Sequence, residues 1–170
     1  MNKSTKMLTR AGVIAALYVA LTFVTLPVAS GAIQFRPGEA LTVLPLLFAE
    51  SMPAVFFGCL IANLVTGAML PDIIFGSLAT LIGAIGTWML GKAAHGKDEK
   101  QKKLFTWLSP LPPILANAVI IPPVLKYAYG ILPMWFSVIT VTAGEIISCG
   151  IFGLILLAAL KKYKNQLFPV

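Results

Sequence analysis

Residues 134–160 read MWFSVITVTAGEIISCGIFGLILLAAL, an apolar run with one carboxylate, Glu145, near its middle. A helix needs roughly 20 apolar residues to cross a bilayer, so this stretch is long enough. A charged side chain at that depth costs about 2.5–3.5 kcal/mol on insertion scales. Such a group ordinarily faces a partner, a ligand or a watery cavity. Thr142 and Ser148 stand at i−3 and i+3 from Glu145 and give the helix a polar stripe.

The rest of the chain has the same character. Of its 170 residues 58% are hydrophobic and 11% charged, against about 25% charged in a soluble domain; the mean hydropathy is +0.90. This composition predicts an all-α integral membrane protein, with residues 1–170 as one membrane-embedded domain. No Gly-rich loop ends in Lys-Ser or Lys-Thr, so no ATP-hydrolysing site is expected. Lys3, Lys6 and Arg10 precede an apolar run of near-spanning length with more such runs behind it, which reads as a first span and not a cleaved signal. Cys59 and Cys149 both fall in apolar segments and the single His95 in a charged one. No metal site or disulfide framework is expected from them.

Six segments are predicted to cross: Leu8–Ala29, Glu39–Ala49, Pro53–Leu70, Asp72–Gly91, Leu108–Tyr127 and Pro133–Leu160. The second is short, but Pro53 separates it from the third. Lysine and arginine collect at the N-terminus, in Lys92–Lys103 and at Lys161, Lys162 and Lys164. The positive-inside rule puts all three on the cytoplasmic side, which requires an even number of crossings on each side of the middle cluster. Four and two satisfy it, with both termini cytoplasmic. The same rule accounts for the net charge of +7 without nucleic acid.

On this topology the outer half holds most of the buried-type polar residues. Glu39 and Asp72 open their segments, where the helix dipole favours an acid whatever its role. Arg36 and Lys126 suit interfacial anchors or ligand groups. Asn63 and Asn117 suit interhelical hydrogen bonds or a polar ligand. Tyr127 and Trp135 suit an aromatic belt or stacking on a flat ligand. Pro122 and Pro123 free the carbonyls of Ala118 and Val119, a kink or a cavity lining. On the first segment Ala11 and Ala15, and Gly12, Ala16 and Ala20, repeat at four-residue spacing, which makes a smooth face for another helix.

A small six-span protein with Ala11-x-x-x-Ala15 on its first helix resembles the substrate-binding S components of energy-coupling factor (ECF) transporters. The run Ile33-Gln34-Phe35-Arg36-Pro37-Gly38-Glu39-Ala40-Leu41 is similar to the signature of the QueT-like queuosine-precursor members, and Gly58–Leu64 and Asp72–Thr80 resemble them too. The resemblance implies a multi-pass protein of the bacterial cell membrane. It would capture a nutrient and pass it to a transmembrane coupling subunit and two partner ATPases, with no catalysis and no cofactor of its own. Ala11, Ala15, Ala16 and Ala20 would form the coupling face. The implied ligands are 7-deazaguanines, whose guanine-like edge offers two adjacent N–H donors and a carbonyl; the aminomethyl form adds a cation. A carboxylate accepts both donors. Glu145 is assigned to the base edge and Glu39 or Asp72 to the amine, with Gln34, Arg36, Asn63, Asn117, Lys126, Tyr127 and Trp135 as complements. Pairing of Arg36 with Glu39 would hold the outer loop as a lid. The competing reading is a small proton-coupled transporter with Glu145 as proton carrier. For an intramembrane enzyme the chain lacks a His-rich site, a Gly-x-Ser-x-Gly elbow and a paired-aspartate motif.

Overall fold

A computed structural model of the chain describes residues 2–25 and 35–162. The described residues are mostly helical, joined by short turns, and contain no strand. The elements are α1 (Lys3–Val24), a 3₁₀ helix (Pro37–Leu46), α2 (Ser51–Val65), α3 (Leu70–Ala94), α4 (Glu99–Leu108), α5 (Leu111–Tyr129), α6 (Met134–Glu145), a π-helical stretch (Ile146–Gly153) and α7 (Leu154–Lys162). Among the described residues, four helical runs are long and apolar enough to cross a membrane, and α2 is a shorter apolar helix. The protein is a multi-pass membrane protein.

The 3₁₀ helix is the short second segment, and its geometry explains how so few residues reach so far. At a rise of about 2.0 Å per residue, ten residues extend about 20 Å, where an α-helix would extend about 15 Å. Pro37 presets its first turn, and Pro45 cannot donate in its last. Every residue from Gly38 to Pro45 is buried, so protein surrounds this segment. The neighbours come close because they meet small residues. A Cβ at Gly38 would stand 2.9 Å from the Thr22 hydroxyl of α1, and one at Gly153 would stand 2.8 Å from Val43.

The expected segments recur with shifted ends. The predicted loop Lys92–Lys103 is largely helical. Lys92 belongs to α3, and α4 starts at Glu99 because Asp98 caps it, accepting the Gln101 N–H at 2.7 Å. α5 passes through Pro122 and Pro123 as one helix and ends at Gly130, which has φ 67°. The last apolar run is helical from Met134 to Lys162, but its middle is widened into the π stretch just after Glu145.

Described members of the three basic clusters, Arg10, Lys102, Lys103 and Lys161, share one end of the bundle. Arg10 pairs with Glu50 at 3.2 Å and lies 5.3 Å from the centre of the Phe48 ring. Phe48 lines a cleft together with Lys102, Lys103 and Lys161. Arg36, Met69, Asp72 and Tyr129 gather at a different place, through contacts described below.

Helices α3 and α5 pack at backbone distance, since a Cβ on Gly83 would lie 2.5 Å from Pro113 Cα. Overpacking of this kind costs about 1–3 kcal/mol. Gly83→Leu is expected to lower the thermal unfolding midpoint in detergent by about 3–10 °C. Gly12→Ala, with nothing within 4 Å of the added atom, should leave it unchanged or higher. Equal midpoints for the two variants would contradict the close α3–α5 crossing.

Candidate functional site

Among the described residues, two clusters of ionisable side chains lie in the interior. The first is centred on Glu39, which is 1% exposed. Its Oε1 accepts a short hydrogen bond from the Tyr18 hydroxyl of α1 and another from Thr80 of α3 at 2.7 Å. Its Oε2 is buried and has no hydrogen-bond partner among the described residues. Glu145, 4% exposed, comes in from α6. Cys149, one turn on in the π stretch, lies 3.1 Å from Glu145 Oε2 and 3.2 Å from the Glu39 carbonyl, with its thiol in reach of both acceptors. Thr42 donates to the same carbonyl at 2.6 Å and lies 3.4 Å from the Cys149 sulfur.

Donor atoms of Glu39, Glu145 and Cys149 all lie within 4.8 Å of one another. Two carboxylates this close repel when both are ionised, and a cation or a shared proton between them removes the repulsion. The trio could present ligands to a metal ion, yet a structural zinc site takes four ligands with deprotonated thiols. Here the thiol is engaged with Glu145. A cationic or donor-rich organic group fits this set better.

The second cluster joins Arg36 to Asp72 at 2.9 Å, with 13% and 3% of their side chains exposed. Arg36 also reaches Asn63 Oδ1 at 3.5 Å, and the Asn63 amide donates to the Asp72 carbonyl at 3.3 Å. Tyr129, at the end of α5, accepts from the Met69 N–H at 3.0 Å and donates to Asp72 Oδ2 at 3.2 Å. Asp72 Oδ1 is buried and has no hydrogen-bond partner among the described residues. Gly76 keeps the space above this cluster, for a Cβ there would lie 3.1 Å from that oxygen and 3.2 Å from the Asn63 amide.

The expected pairing of Arg36 with Glu39 is corrected: Arg36 pairs with Asp72. The reason is geometric. Arg36 precedes the 3₁₀ helix and faces the first turn of α3, while Glu39 has turned inward between Tyr18 and Thr80. Of the other expected ligand groups, Asn63 joins the Arg36 cluster. Asn117 is buried, but donates to the Pro113 carbonyl of its own helix at 3.1 Å. Tyr127 and Trp135 are 80% and 63% exposed and face the surroundings, as an aromatic belt does. Lys126 stands 5.2 Å over the Tyr127 ring. Gln34 lies outside the described residues.

Tyr18, Thr80, Thr42, Cys149 and Tyr129 are the polar partners that the sequence reading missed. The available signal was weak: Tyr18 and Thr22 share a face of α1 at i, i+4, and Cys149 stands at i+4 from Glu145.

The alanine face also divides. Ala11 is half-buried and packs against the interior cluster that contains Ile14 and Tyr18. Gly12, Ala15, Ala16 and Ala20 line an apolar groove of about 630 Å³ together with Phe23, Val24 and Ile61.

Removing one member of a buried ion pair leaves the other uncompensated, at a cost of about 3–5 kcal/mol. Arg36→Met and Asp72→Asn are each expected to lower the thermal midpoint sharply, and the double variant to lose much less than their sum. Additive losses would show that the pair is not coupled.

Comparison with known proteins adds the last observation. No match was found among curated proteins or among solved structures. The family model described as QueT transporter matches residues 8–162, a span that includes every residue of both clusters. The chain belongs to the QueT transporter family, a family of membrane transport proteins.

Proposed function

We propose that the chain is the substrate-binding S component of an ATP-driven ECF importer for a queuosine precursor of the 7-deazaguanine type. It would act as one domain in a bacterial cell membrane, crossing six times with both termini cytoplasmic. The meeting of the three basic clusters at one end supports that orientation. Transport energy would come from a coupling subunit and two ATPases.

The observation that supports this reading most is the close, buried pair Glu39 and Glu145, with Glu39 Oε2 lacking a donor among the described residues. A buried carboxylate oxygen without a hydrogen bond is costly. The guanine-like edge supplies two adjacent N–H donors, and an aminomethyl arm supplies a cation. We assign Glu145 to the base edge and Glu39 to the amine. Asp72, with Arg36, Asn63 and Tyr129, would then form the outer wall. Asn117, Lys126, Tyr127 and Trp135 would lie outside direct ligand contact.

Titration calorimetry of the purified protein with a 7-deazaguanine checks the assignment. Hydrogen bonds to a charged group contribute about 1.5–3 kcal/mol, so Glu145→Gln and Glu39→Gln should each weaken binding by about 10- to 100-fold. Unchanged affinity in both variants would remove the site. Uptake by the chain alone in liposomes, driven only by a proton gradient, would favour the proton-coupled alternative.

The groove on α1 suits the coupling subunit, because small residues let a helix approach closely. Ala16→Trp should abolish ATP-driven uptake by the assembled transporter while ligand affinity stays within about twofold, the groove being separate from the carboxylates. Undiminished uptake in that variant would place the coupling face elsewhere.

A further inference from the structure

The basic end of the bundle holds a cleft of about 1000 Å³ between the turn at Phe48, the end of α3, α4 and α7. Leu46, Phe48, Phe105 and Leu154 make it apolar; Lys102, Lys103 and Lys161 bring cations to it. Lys161 Nζ donates to Thr106 Oγ1 at 2.6 Å and ties α7 to α4. Helix α4 buries none of its residues. Leu104 and Trp107 are more than half exposed, and with Lys100 they share one face at i, i+4 and i+7. A helix with exposed Leu and Trp beside lysines suits the headgroup level of a bilayer.

Charge is lopsided here. Residues 92–103 carry Lys92, Lys97, Lys100, Lys102 and Lys103 against Asp98 and Glu99, and the cleft itself is lined by Lys102, Lys103 and Lys161 against Glu99. Asp98 caps α4, and Glu99 is paired with Lys102 at 2.7 Å. We propose that this cleft binds the phosphate headgroup of an anionic phospholipid, with α4 lying on the same leaflet. The lysines complement the phosphate, and the apolar walls receive the glycerol and the upper acyl chain. A free phosphate would leave those walls without a partner. Basic pockets beside membrane-spanning helices recognise anionic headgroups by this chemistry. The proposal rests on the membrane reading of the chain and is independent of its substrate.

Native mass spectrometry of the intact protein, released from micelles holding equal phosphatidylglycerol and phosphatidylcholine, tests it. Phosphatidylglycerol adducts should be enriched roughly fivefold or more. The triple variant Lys102→Gln, Lys103→Gln, Lys161→Gln should bring the two lipids to parity, and the matching Lys→Arg triple should keep the enrichment. Parity in the wild-type protein, or enrichment that survives the Gln triple, overturns the proposal. Loss of the phosphatidylglycerol adducts on adding inorganic phosphate at equal concentration also overturns it, in favour of a soluble anion site.

Discussion

Glu39 keeps its carboxylate in the packed interior by accepting hydrogen bonds from Tyr18 of α1 and Thr80 of α3. That junction constrains everything around it. It requires the segment bearing Glu39 to run inside the bundle, and the 3₁₀ helix from Gly38 to Pro45 is accordingly buried along its length. It requires α1 to pass close by, and Gly38 leaves the room, with the Thr22 hydroxyl 2.9 Å from where a Cβ would stand. It leaves one carboxylate oxygen without a donor among the described residues, and an oxygen of Glu39, one of Glu145 and the Cys149 sulfur lie within 4.8 Å of one another. A closed apolar packing would not tolerate this arrangement cheaply.

The ionisable groups separate into two interior clusters of different character. Around Asp72 the charge is balanced by Arg36, and the surrounding amide and phenol bonds hold three elements in register. Around Glu39 and Glu145 no basic side chain is within ion-pair distance among the described residues. The first cluster can therefore be structural, while the second is suited to a positively charged or donor-rich guest. In the proposed importer, the balanced cluster forms a wall and the unbalanced one reads the ligand.

Much of this was legible in the sequence, because burial of charge leaves a trace there. Glu145 was conspicuous in an apolar run, and the lysine clusters indicated which segment ends belong together. Other features were not legible. An acid at a helix start has the same pattern whether it serves the dipole or faces inward, so Glu39 and Asp72 looked alike; only the fold separates them. The partner of Arg36 depends on the direction of the backbone between residues 36 and 39, which periodicity does not report. Tyr127 and Trp135 look equally suited to stacking or to a belt in the sequence, and the fold adds that they are 80% and 63% exposed. The π stretch after Glu145 and the 3₁₀ form of the second segment leave no compositional signal beyond Pro37 and Pro45.

Infrared difference spectroscopy on adding a 7-deazaguanine to the purified protein tests the role of the carboxylate pair most directly, because it observes carboxyl groups themselves. The account predicts carboxyl-band changes that lose one component in Glu39→Gln and another in Glu145→Gln, while Asp72→Asn leaves both in place. A binding spectrum without carboxyl changes, or one altered only by Asp72→Asn, would contradict it.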